Sequence, residues 1–306
     1  MTEPGTALIT GPTRNLGRHT VLAMADRPPA RRPDLLLVGR PGRDLTAVAE
    51  EARTRGARVH EIGADLSSLS DVRAAAATVR ELLAAGTVRP LRALVANAGI
   101  MSTDTRQSSR DGYELTFAVN YLAHARLIGD LLGSLTAPAR IVLLGSNTYH
   151  ANFWRRLLHV AAAEWSDPVE LARPAPATQT PSLTTSGVAY SNAKLALLYY
   201  AHELQRRAAD GVNVSVFEPG WMPGTALGRG APAAFQAMSR ALARVPGVST
   251  PQRSGPLLAA MALDDRWAGL RDGAFVVKTK VTPVQPVAQD RARERRLWEA
   301  TAELVG

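Results

Sequence analysis

The sequence predicts an α/β protein built on one doubly wound parallel sheet. Short apolar runs such as Leu35–Val38 alternate with longer segments that have helical periodicity. Uninterrupted apolar strands are typical of a sheet covered on both faces, and the alternation implies right-handed crossovers. A glycine-containing turn, Gly11–Gly17, joins the first strand to the first helix, as in dinucleotide-binding βαβ units. The 306 residues show no repeat and no second domain, so we predict a single domain spanning 1–306.

Each strand is predicted from a short apolar run and each helix from apolar residues at helical spacing. In the first helix these residues are Val21, Leu22 and Met24. Strands are predicted at residues 6–10, 34–39, 57–61, 92–96, 139–145, 212–217 and 273–278. Helices are predicted at residues 15–26, 43–55, 68–85, 111–133, 187–209, 231–243, 252–263 and 287–303.

The amino-acid composition narrows the kinds of molecule that the protein is expected to bind. The net charge is +9, but only three of the 36 basic residues are lysine, and the arginines are scattered through alanine-rich segments. This distribution favours a bias of genome composition over a nucleic-acid-binding stripe, so we expect no nucleic-acid partner. The chain has no cysteine, which excludes disulfides, thiol nucleophiles and cysteine-based zinc sites. The six histidines lack metal-ligand spacing, and we expect no metal.

Hydropathy gives no sign of a membrane protein. No apolar run approaches the roughly 18–20 residues of a membrane span. The first strand follows directly after Gly5, which leaves no room for a secretory signal. We therefore expect a cytoplasmic protein without a membrane partner.

The stretch Tyr190–Lys194 carries the clearest chemical signal. A tyrosine and a lysine four residues apart share one face of a helix. A free phenol titrates near pH ~10, too high for easy proton exchange at neutral pH. An adjacent cation stabilises phenolate, so we expect Lys194 to lower the pKa of Tyr190 toward the range of a general acid.

Other motifs accompany this pair in a particular order. They are the turn Gly11–Gly17, Asn97-Ala98-Gly99 after the fourth strand, Asn120 on a helix, Ser146 after the fifth strand, and Glu218-Pro219-Gly220 after the sixth. With these motifs the chain, over roughly its first 225 residues, resembles the short-chain dehydrogenase/reductase superfamily. The resemblance implies a single-domain Rossmann-type fold and an oxidoreductase.

The resemblance assigns a catalytic role to four residues. Tyr190 would transfer a proton to the substrate carbonyl oxygen, and Ser146 would hydrogen-bond that oxygen. Lys194 would lower the tyrosine pKa and bind the nicotinamide ribose, while Asn120 would hold a water that links Lys194 to solvent. The cofactor site implied by the resemblance comprises Gly11, Arg14, Asn15, Leu16, Gly17, Arg40, Asp65, Leu66, Asn97, Ala98, Gly99, Tyr190, Lys194, Pro219 and Gly220.

Two arginines indicate NADP(H) as the cofactor. Arg40 ends the second strand, where an NAD site normally places a carboxylate, and Arg14 lies in the phosphate turn. A guanidinium suits a 2′-phosphate through its charge and bidentate hydrogen bonds. The turn departs from the family pattern at Asn15, which replaces a glycine, but asparagine tolerates left-handed backbone better than most residues.

Two cofactor candidates have an alternative interpretation. Asp65 resembles the acidic residue that contacts adenine in the family, and alternatively it is a turn residue ahead of a helix. Asn97 either contacts the cofactor or braces the central sheet by pairing its amide with backbone.

A long segment at 147–186 separates Ser146 from Tyr190. Insertions here are similar to those of the retinol dehydrogenase, protochlorophyllide reductase and monomeric carbonyl reductase branches. We predict a lid beside the nicotinamide that selects a bulky hydrophobic substrate; the alternative is a surface subdomain that packs its own aromatic residues. Residues 221–265 are predicted to form substrate-side helices.

The insertion also bears on assembly. In many relatives without it, the helix that carries the catalytic tyrosine pairs across a tetramer interface. We expect the insertion to cover that surface, giving a monomer or at most a homodimer, with 152–165 forming a short amphipathic helix beside the pocket.

The predicted function is NADPH-dependent reduction of a ketone or aldehyde in a bulky hydrophobic small molecule, for example a secondary metabolite. The alternatives are reduction of a conjugated C=C bond and a non-redox cyclase or isomerase reaction on the same scaffold. A non-catalytic dinucleotide-sensing regulator is disfavoured, because Tyr190 and Lys194 are both retained. His124 and His150 follow Asn120 and Ser146 by four positions and are further candidates to line the pocket.

Overall fold

A computed structural model of the protein describes residues 4–151, 161–222 and 248–306. Its strands are β1 (Thr6–Thr10), β2 (Asp34–Gly39), β3 (Val59–Gly63), β4 (Leu91–Ala96), β5 (Leu135–Leu144), β6 (Val212–Glu218), β7 (Ala274–Val277) and β8 (Lys280–Val281). Its helices are α1 (Asn15–Ala25), α2 (Arg43–Thr54), α3 (Leu69–Ala84), α4 (Leu115–Phe117), α5 (Ala123–Leu131), α6 (Pro168–Leu171), α7 (Leu183–Arg207), α8 (Pro251–Leu263) and α9 (Arg291–Val305). Ala118–Leu122 form a π-helical turn that joins α4 to α5.

The described strands form one sheet in the order β3-β2-β1-β4-β5-β6-β7-β8. Neighbouring strands from β3 to β7 are parallel, and β8 returns antiparallel to β7. The chain runs outward from β1 to β3 and then returns to place β4 on the other side of β1. This reversal creates a crevice at the carboxyl ends of β1 and β4, where doubly wound folds bind their ligands. The predicted Rossmann-type doubly wound sheet is confirmed.

Two apolar cores cover the two faces of the sheet. Along β2, Leu36 belongs to the core beneath α3, α5, α7 and α9, whereas Leu35 and Leu37 belong to the core beneath α1, α2 and α8. All three side chains are fully buried. Strands buried on both faces need apolar residues at every position, which is why they read as uninterrupted apolar runs.

Local capping explains two of the departures from the predicted bounds. The third strand begins at Val59 rather than 57, because Gly56 and Ala57 finish α2: their N–H groups donate to the carbonyls of Arg53 and Ala52. Gly56 has φ 82°, as a Schellman motif requires. The helix predicted from 111 starts only at Leu115, because the Glu114 carboxylate caps it. The short elements α6 and β8 were not predicted.

Part of the insertion packs on the catalytic half of the molecule. The Trp165 ring lies 4.9 Å from that of Tyr199 on α7, nearly perpendicular to it. Asp167 pairs with Arg296 of α9 at 2.8 Å. Residues 161–165 are not helical, so the predicted amphipathic helix over 152–165 is wrong for these five positions, and residues 152–160 lie outside the described part of the chain.

The substrate-side prediction for 221–265 is only partly covered by the described residues. Helix α8 packs against α1, and Leu258 and Met261 are buried in the core that the two helices share. Helix α8 therefore covers one face of the sheet and contributes side chains to the core there. The helix predicted at 231–243 lies outside the described residues, and its position stays a prediction.

Candidate active site

The turn between β1 and α1 has the backbone shape of a phosphate-binding loop. Gly11 has φ 63° and Asn15 has φ 46°, so asparagine does adopt the left-handed conformation expected of it. A Cβ at Gly17 would lie 2.1 Å from the Gly11 carbonyl oxygen, so only glycine fits there. Helix α1 has no side-chain cap and no acidic residue in its first turn. Its first N–H groups are therefore suited to an anion, while the Leu16 side chain packs into the core.

Arg14, within this turn, and Arg40, directly after β2, are both exposed. Neither guanidinium forms an ion pair with any residue of the described ranges. Arg40 lies close enough to Asp65 for its charge to help lower the pKa of that carboxyl. Partial burial would by itself raise that pKa, but two hydrogen bonds from Ser67 and the nearby charges of Arg110 and Arg40 lower it overall.

Asp65 has the geometry of a turn residue. Its Oδ1 accepts the Ser67 backbone N–H at 3.0 Å and the Ser67 hydroxyl at 2.9 Å. Helix α3 is capped by Ser68, and the Leu66 side chain is buried. The turn interpretation therefore describes Asp65 in this structure. Adenine contacts by Asp65 and Leu66 stay a prediction.

Asn97 braces the turn from the neighbouring strand. Its Nδ2 donates to the carbonyls of Thr10 at 2.9 Å and Gly11 at 3.0 Å. The backbone N–H groups of Asn97 and Ala98 both donate to the Thr10 hydroxyl at 3.0 Å. Of the two roles considered for Asn97, bracing by amide–backbone pairing is the one that its side chain performs. A contact with the cofactor stays a prediction.

Asn120 is held beside Lys194 by the loop that follows Gly99. The Asn120 side chain accepts from the Ile100 N–H at 2.7 Å and donates to the Ile100 carbonyl at 2.8 Å. A Cβ at Gly99 would lie 3.4 Å from Asn120 Oδ1 and 3.8 Å from Lys194 Nζ, both ordinary contact distances, so Gly99 lies next to both side chains. Ile100 thus engages the amide at both ends, and the predicted role of Asn120 is to hold a water that links Lys194 to solvent. That water remains a prediction.

Ser146, Tyr190 and Lys194 converge at the carboxyl end of β5. The Tyr190 phenol lies close enough to the Ser146 side chain for the serine hydroxyl to act on its pKa. Lys194 Nζ lies 5.5 Å from the centroid of the Tyr190 ring and donates to the Leu144 carbonyl at 2.6 Å. The structure thus brings together all four predicted catalytic residues, from three separate elements.

The expected pKa of Tyr190 is wrong for this structure. Burial raises the pKa of the phenol, the charge of Glu218 raises it further, and the hydrogen bond with Ser146 opposes both effects only in part. The lysine does not reverse this, because its ammonium lies over the ring and bonds to Leu144 rather than to the phenol oxygen. Burial also lowers the pKa of Lys194 to about 7, so its charge is partial at neutral pH.

Two residues near the site, Glu218 and His124, lie outside the predicted catalytic and cofactor-binding sets. Glu218 ends β6 and is buried, with its carboxylate accepting the Gly220 N–H at 3.0 Å. His124 is buried between Thr10 and Asn120 rather than lining a pocket wall. The four-residue spacing from Asn120 was the one available signal for His124, and nothing in the sequence indicated its contact with β1.

Pro219 and Gly220 are the last of the predicted cofactor-binding residues. The Pro219 carbonyl accepts the Ser254 hydroxyl at 3.1 Å. Gly220 has φ 84°, and a Cβ there would lie 2.2 Å from Ser249 Oγ and 2.5 Å from Lys278 Cε. Glycine is therefore required where this loop meets its neighbours.

Comparison with known proteins agrees with this geometry. Residues 5–156 match the family model described as short chain dehydrogenase. Human retinol dehydrogenase 13 is 30% identical over 314 residues, which covers 100% of this chain and 86% of that protein. DnrU of Streptomyces sp. (strain C5), assigned as a daunorubicin C-13 ketoreductase, is 32% identical over 309 residues, covering 99% of this chain and 93% of DnrU. The chain belongs to the short-chain dehydrogenase/reductase family.

Other members of the family support the branch and the fold. Protochlorophyllide reductase B of Oryza sativa subsp. japonica is 25% identical over 324 residues, covering 99% of this chain and 77% of the enzyme. The predicted likeness to the retinol dehydrogenase and protochlorophyllide reductase branch is thereby confirmed. A short chain dehydrogenase from Burkholderia cenocepacia J2315, solved in complex with NADP, superposes with a TM-score of 0.63 at 20% identity, covering 90% of this chain and 96% of that one.

Two features are absent from residues 4–151, 161–222 and 248–306. Within these ranges no group of three or more histidine or acidic residues is placed to hold a metal ion. Within the same ranges, no helix combines the length and the apolar character needed to span a bilayer.

Proposed function

We propose that this family member reduces the ketone or aldehyde group of a bulky hydrophobic molecule with NADPH. The observation that carries the proposal is the approach of the Tyr190 phenol to the Ser146 side chain, with Lys194 over the tyrosine ring. Two hydroxyls that converge on one point suit a carbonyl oxygen, since one can donate a proton while the other fixes the direction of the oxygen. The raised pKa of Tyr190 keeps the phenol protonated, which is the form that reduction requires.

The residues at the β1–α1 turn fit NADPH. Free N–H groups at the start of α1 suit the pyrophosphate, and the exposed guanidinium groups of Arg14 and Arg40 suit a 2′-phosphate. Bound there, NADPH would supply the hydride. Two structural neighbours support this choice: the Burkholderia cenocepacia enzyme is a complex with NADP, and a blue fluorescent protein from a metagenomic library is a complex with NADPH. The second superposes with a TM-score of 0.63 at 22% identity, covering 90% of this chain and 97% of that one.

In this mechanism the protein supplies orientation and a proton. Ser146 holds the substrate oxygen through its hydroxyl, and Tyr190 Oη transfers its proton to that oxygen as the carbonyl carbon is reduced. Lys194 Nζ then stabilises the phenolate that is left. The hydrogen bonds between Asn120 and Ile100 hold the loop that follows Gly99 beside Lys194.

The hydrophobic substrate class draws support from the insertion and the relatives. Ser191 Oγ donates to the Ala161 carbonyl, and the Glu164 N–H donates to Asn192 Oδ1, both at 2.8 Å. The insertion is thus fastened to the two residues that follow Tyr190, where it could shape the pocket. Retinol and daunorubicin, which appear in the names of the two relatives described above, are both bulky molecules with an extended conjugated carbon framework.

A substrate panel tests the proposal. NADPH consumption would be followed with aromatic and terpenoid ketones and aldehydes, small carbonyls, and enones, and the products would be identified. We expect alcohol products and the highest kcat/KM on bulky apolar carbonyls. Saturated ketones formed from enones, or no consumption of NADPH on any compound, would overturn the carbonyl assignment.

Replacing Arg40 with aspartate tests the choice of cofactor. The change removes a charge-assisted hydrogen bond, whose loss costs about 1.5–3 kcal/mol, and adds repulsion toward a 2′-phosphate. We expect Kd for NADPH to rise about tenfold or more while Kd for NADH changes less, measured by nicotinamide fluorescence. Arg295→Asp, the same charge change at an exposed position on α9, is the control and should leave both affinities unchanged. Equal losses for the two cofactors in Arg40→Asp would show that another group discriminates between them.

The insertion supports a monomer or at most a homodimer. Trp165 and the backbone of 161–164 cover part of α7, the helix that carries Tyr190. A helix face already covered within its own chain is not free to pair with a second copy. Light scattering on the purified protein should therefore give the mass of one or two chains, and the mass of four would contradict the proposal.

A further inference from the structure

A buried chain of hydrogen bonds links the end of β1 to the helix that carries Asn120. The Thr10 hydroxyl lies 2.9 Å from His124 Nε2, and His124 Nδ1 lies 3.0 Å from the Asn120 carbonyl oxygen. On the other side, the Thr10 hydroxyl receives the backbone N–H groups of Asn97 and Ala98. Thr10, Asn120 and His124 are 1% exposed or less, so water does not substitute for any partner in this chain.

The partners determine where each proton lies. A carbonyl oxygen only accepts, so His124 Nδ1 must carry the hydrogen that it gives to Asn120. Burial lowers the pKa of His124 to about 4 and outweighs its hydrogen bond to Asn120, so the ring is neutral at pH 7 and Nε2 has a lone pair. Thr10 must then donate to Nε2 and accept from the two N–H groups. Every donor and acceptor of the Thr10 hydroxyl and of the imidazole is used, and only one direction of the chain is possible.

We propose that His124 is a positioning residue. Through Thr10 it couples the β1–α1 turn, where the cofactor would bind, to the π-helical turn that carries Asn120. Thr10 directly precedes Gly11, and a Cβ at Gly11 would lie 2.9 Å from Ala98 Cα, so the turn and the loop after β4 are in close contact. The Thr10 hydroxyl joins these two segments, and His124 extends the link to the Asn120 carbonyl. The inference rests on the proposed function, because the coupling concerns NADPH at the turn and proton transfer beside Asn120.

The tautomer of His124 gives a test that requires neither NADPH nor substrate. Protein labelled with ¹⁵N-histidine would be studied by long-range ¹H–¹⁵N NMR, with the His124 signal assigned by its loss in His124→Phe. We expect a neutral ring with the proton on Nδ1. A proton on Nε2 would overturn the proposal, because Nε2–H cannot accept from Thr10.

Variants of Thr10 and His124 should separate the effect of the link on NADPH binding from its effect on catalysis. Thr10→Val leaves two N–H groups and Nε2 unpaired, so we expect Kd for NADPH to rise about tenfold or more, and Thr10→Ser should recover most of that affinity. His124→Asn can still donate to the Asn120 carbonyl one turn earlier. It should therefore keep more of kcat than His124→Phe, while both variants weaken NADPH.

The double variant tests the coupling itself. If Thr10 and His124 act through one link, the loss of NADPH affinity in Thr10→Val/His124→Phe should be smaller than the product of the two single losses, by about fivefold or more. Losses that multiply, or variants that lower only the thermal midpoint while Kd and kcat stay unchanged, would overturn the proposal. Since Kd is measured without substrate, a wild-type protein that binds NADPH but reduces no carbonyl would refute the proposed function and leave this test intact.

Discussion

Replacing Tyr190 with phenylalanine is expected to lower kcat by about 10²–10⁴-fold, the usual contribution of general acid catalysis. The ring remains in place, but the phenol proton beside Ser146 is gone. NADPH binding should change little, because the phenol oxygen is proposed to contact the substrate. Steady-state kinetics and fluorescence titration would measure the two quantities on the same preparation.

A matched control exists on the same helix. Tyr200 is buried, its hydroxyl bonds only weakly to the Ala125 carbonyl at 3.4 Å, and it takes no part in the proposed chemistry. Tyr200→Phe should keep wild-type kcat. If Tyr190→Phe also kept near-wild-type turnover, the proton donor would have to be another group.

Replacing Lys194 with methionine should lower both catalysis and cofactor affinity. Methionine retains most of the length of the buried side chain but removes the charge that would stabilise the phenolate. Loss of one such charged donor in a buried site typically costs about 10²–10³-fold in kcat. Kd for NADPH should rise as well, because Lys194 is proposed to hold the nicotinamide ribose. Unchanged affinity would limit the role of Lys194 to catalysis.

The pH dependence gives a second readout of the same residue. Burial lowers the pKa of Lys194 to about 7, so the ammonium form is present below pH 7 and is lost above it. A profile of kcat/KM for NADPH reports the free enzyme. It should fall as the pH rises through about 7 in the wild type, and Lys194→Met should lack that step. A wild-type profile that stays flat to pH 9 would contradict this assignment.

Much of the fold could be predicted because its signals are local. The apolar runs in β2 and β4 can bury all their side chains only in a sheet that is covered on both faces. Two of the boundary errors lie where a cap decides where an element begins. The Glu114 cap makes helix α4 begin at Leu115. The end of α2 at Gly56 and Ala57 makes β3 begin at Val59.

Part of the candidate site could be predicted for a similar reason. Carboxyl ends of parallel strands meet at one edge of the sheet, so motifs that follow β1, β4, β5 and β6 are brought together by topology alone. Tyr190 and Lys194 lie one helical turn apart, so any helix that contains both places them on one face. The left-handed backbone at Asn15 also followed from the preference of its residue type.

By itself the sequence determined the doubly wound sheet, the family, and the order in which the site residues occur along the chain. Only the tertiary structure decided their protonation and pairing. The sequence pattern indicated that Lys194 would lower the pKa of Tyr190, but burial and Glu218 raise it, and Lys194 gives its hydrogen bond to Leu144. The link from His124 to Thr10 spans 114 positions and has no local signal. Burial and partners from distant elements set pKa values and hydrogen bonds, and these exist only once the chain is packed.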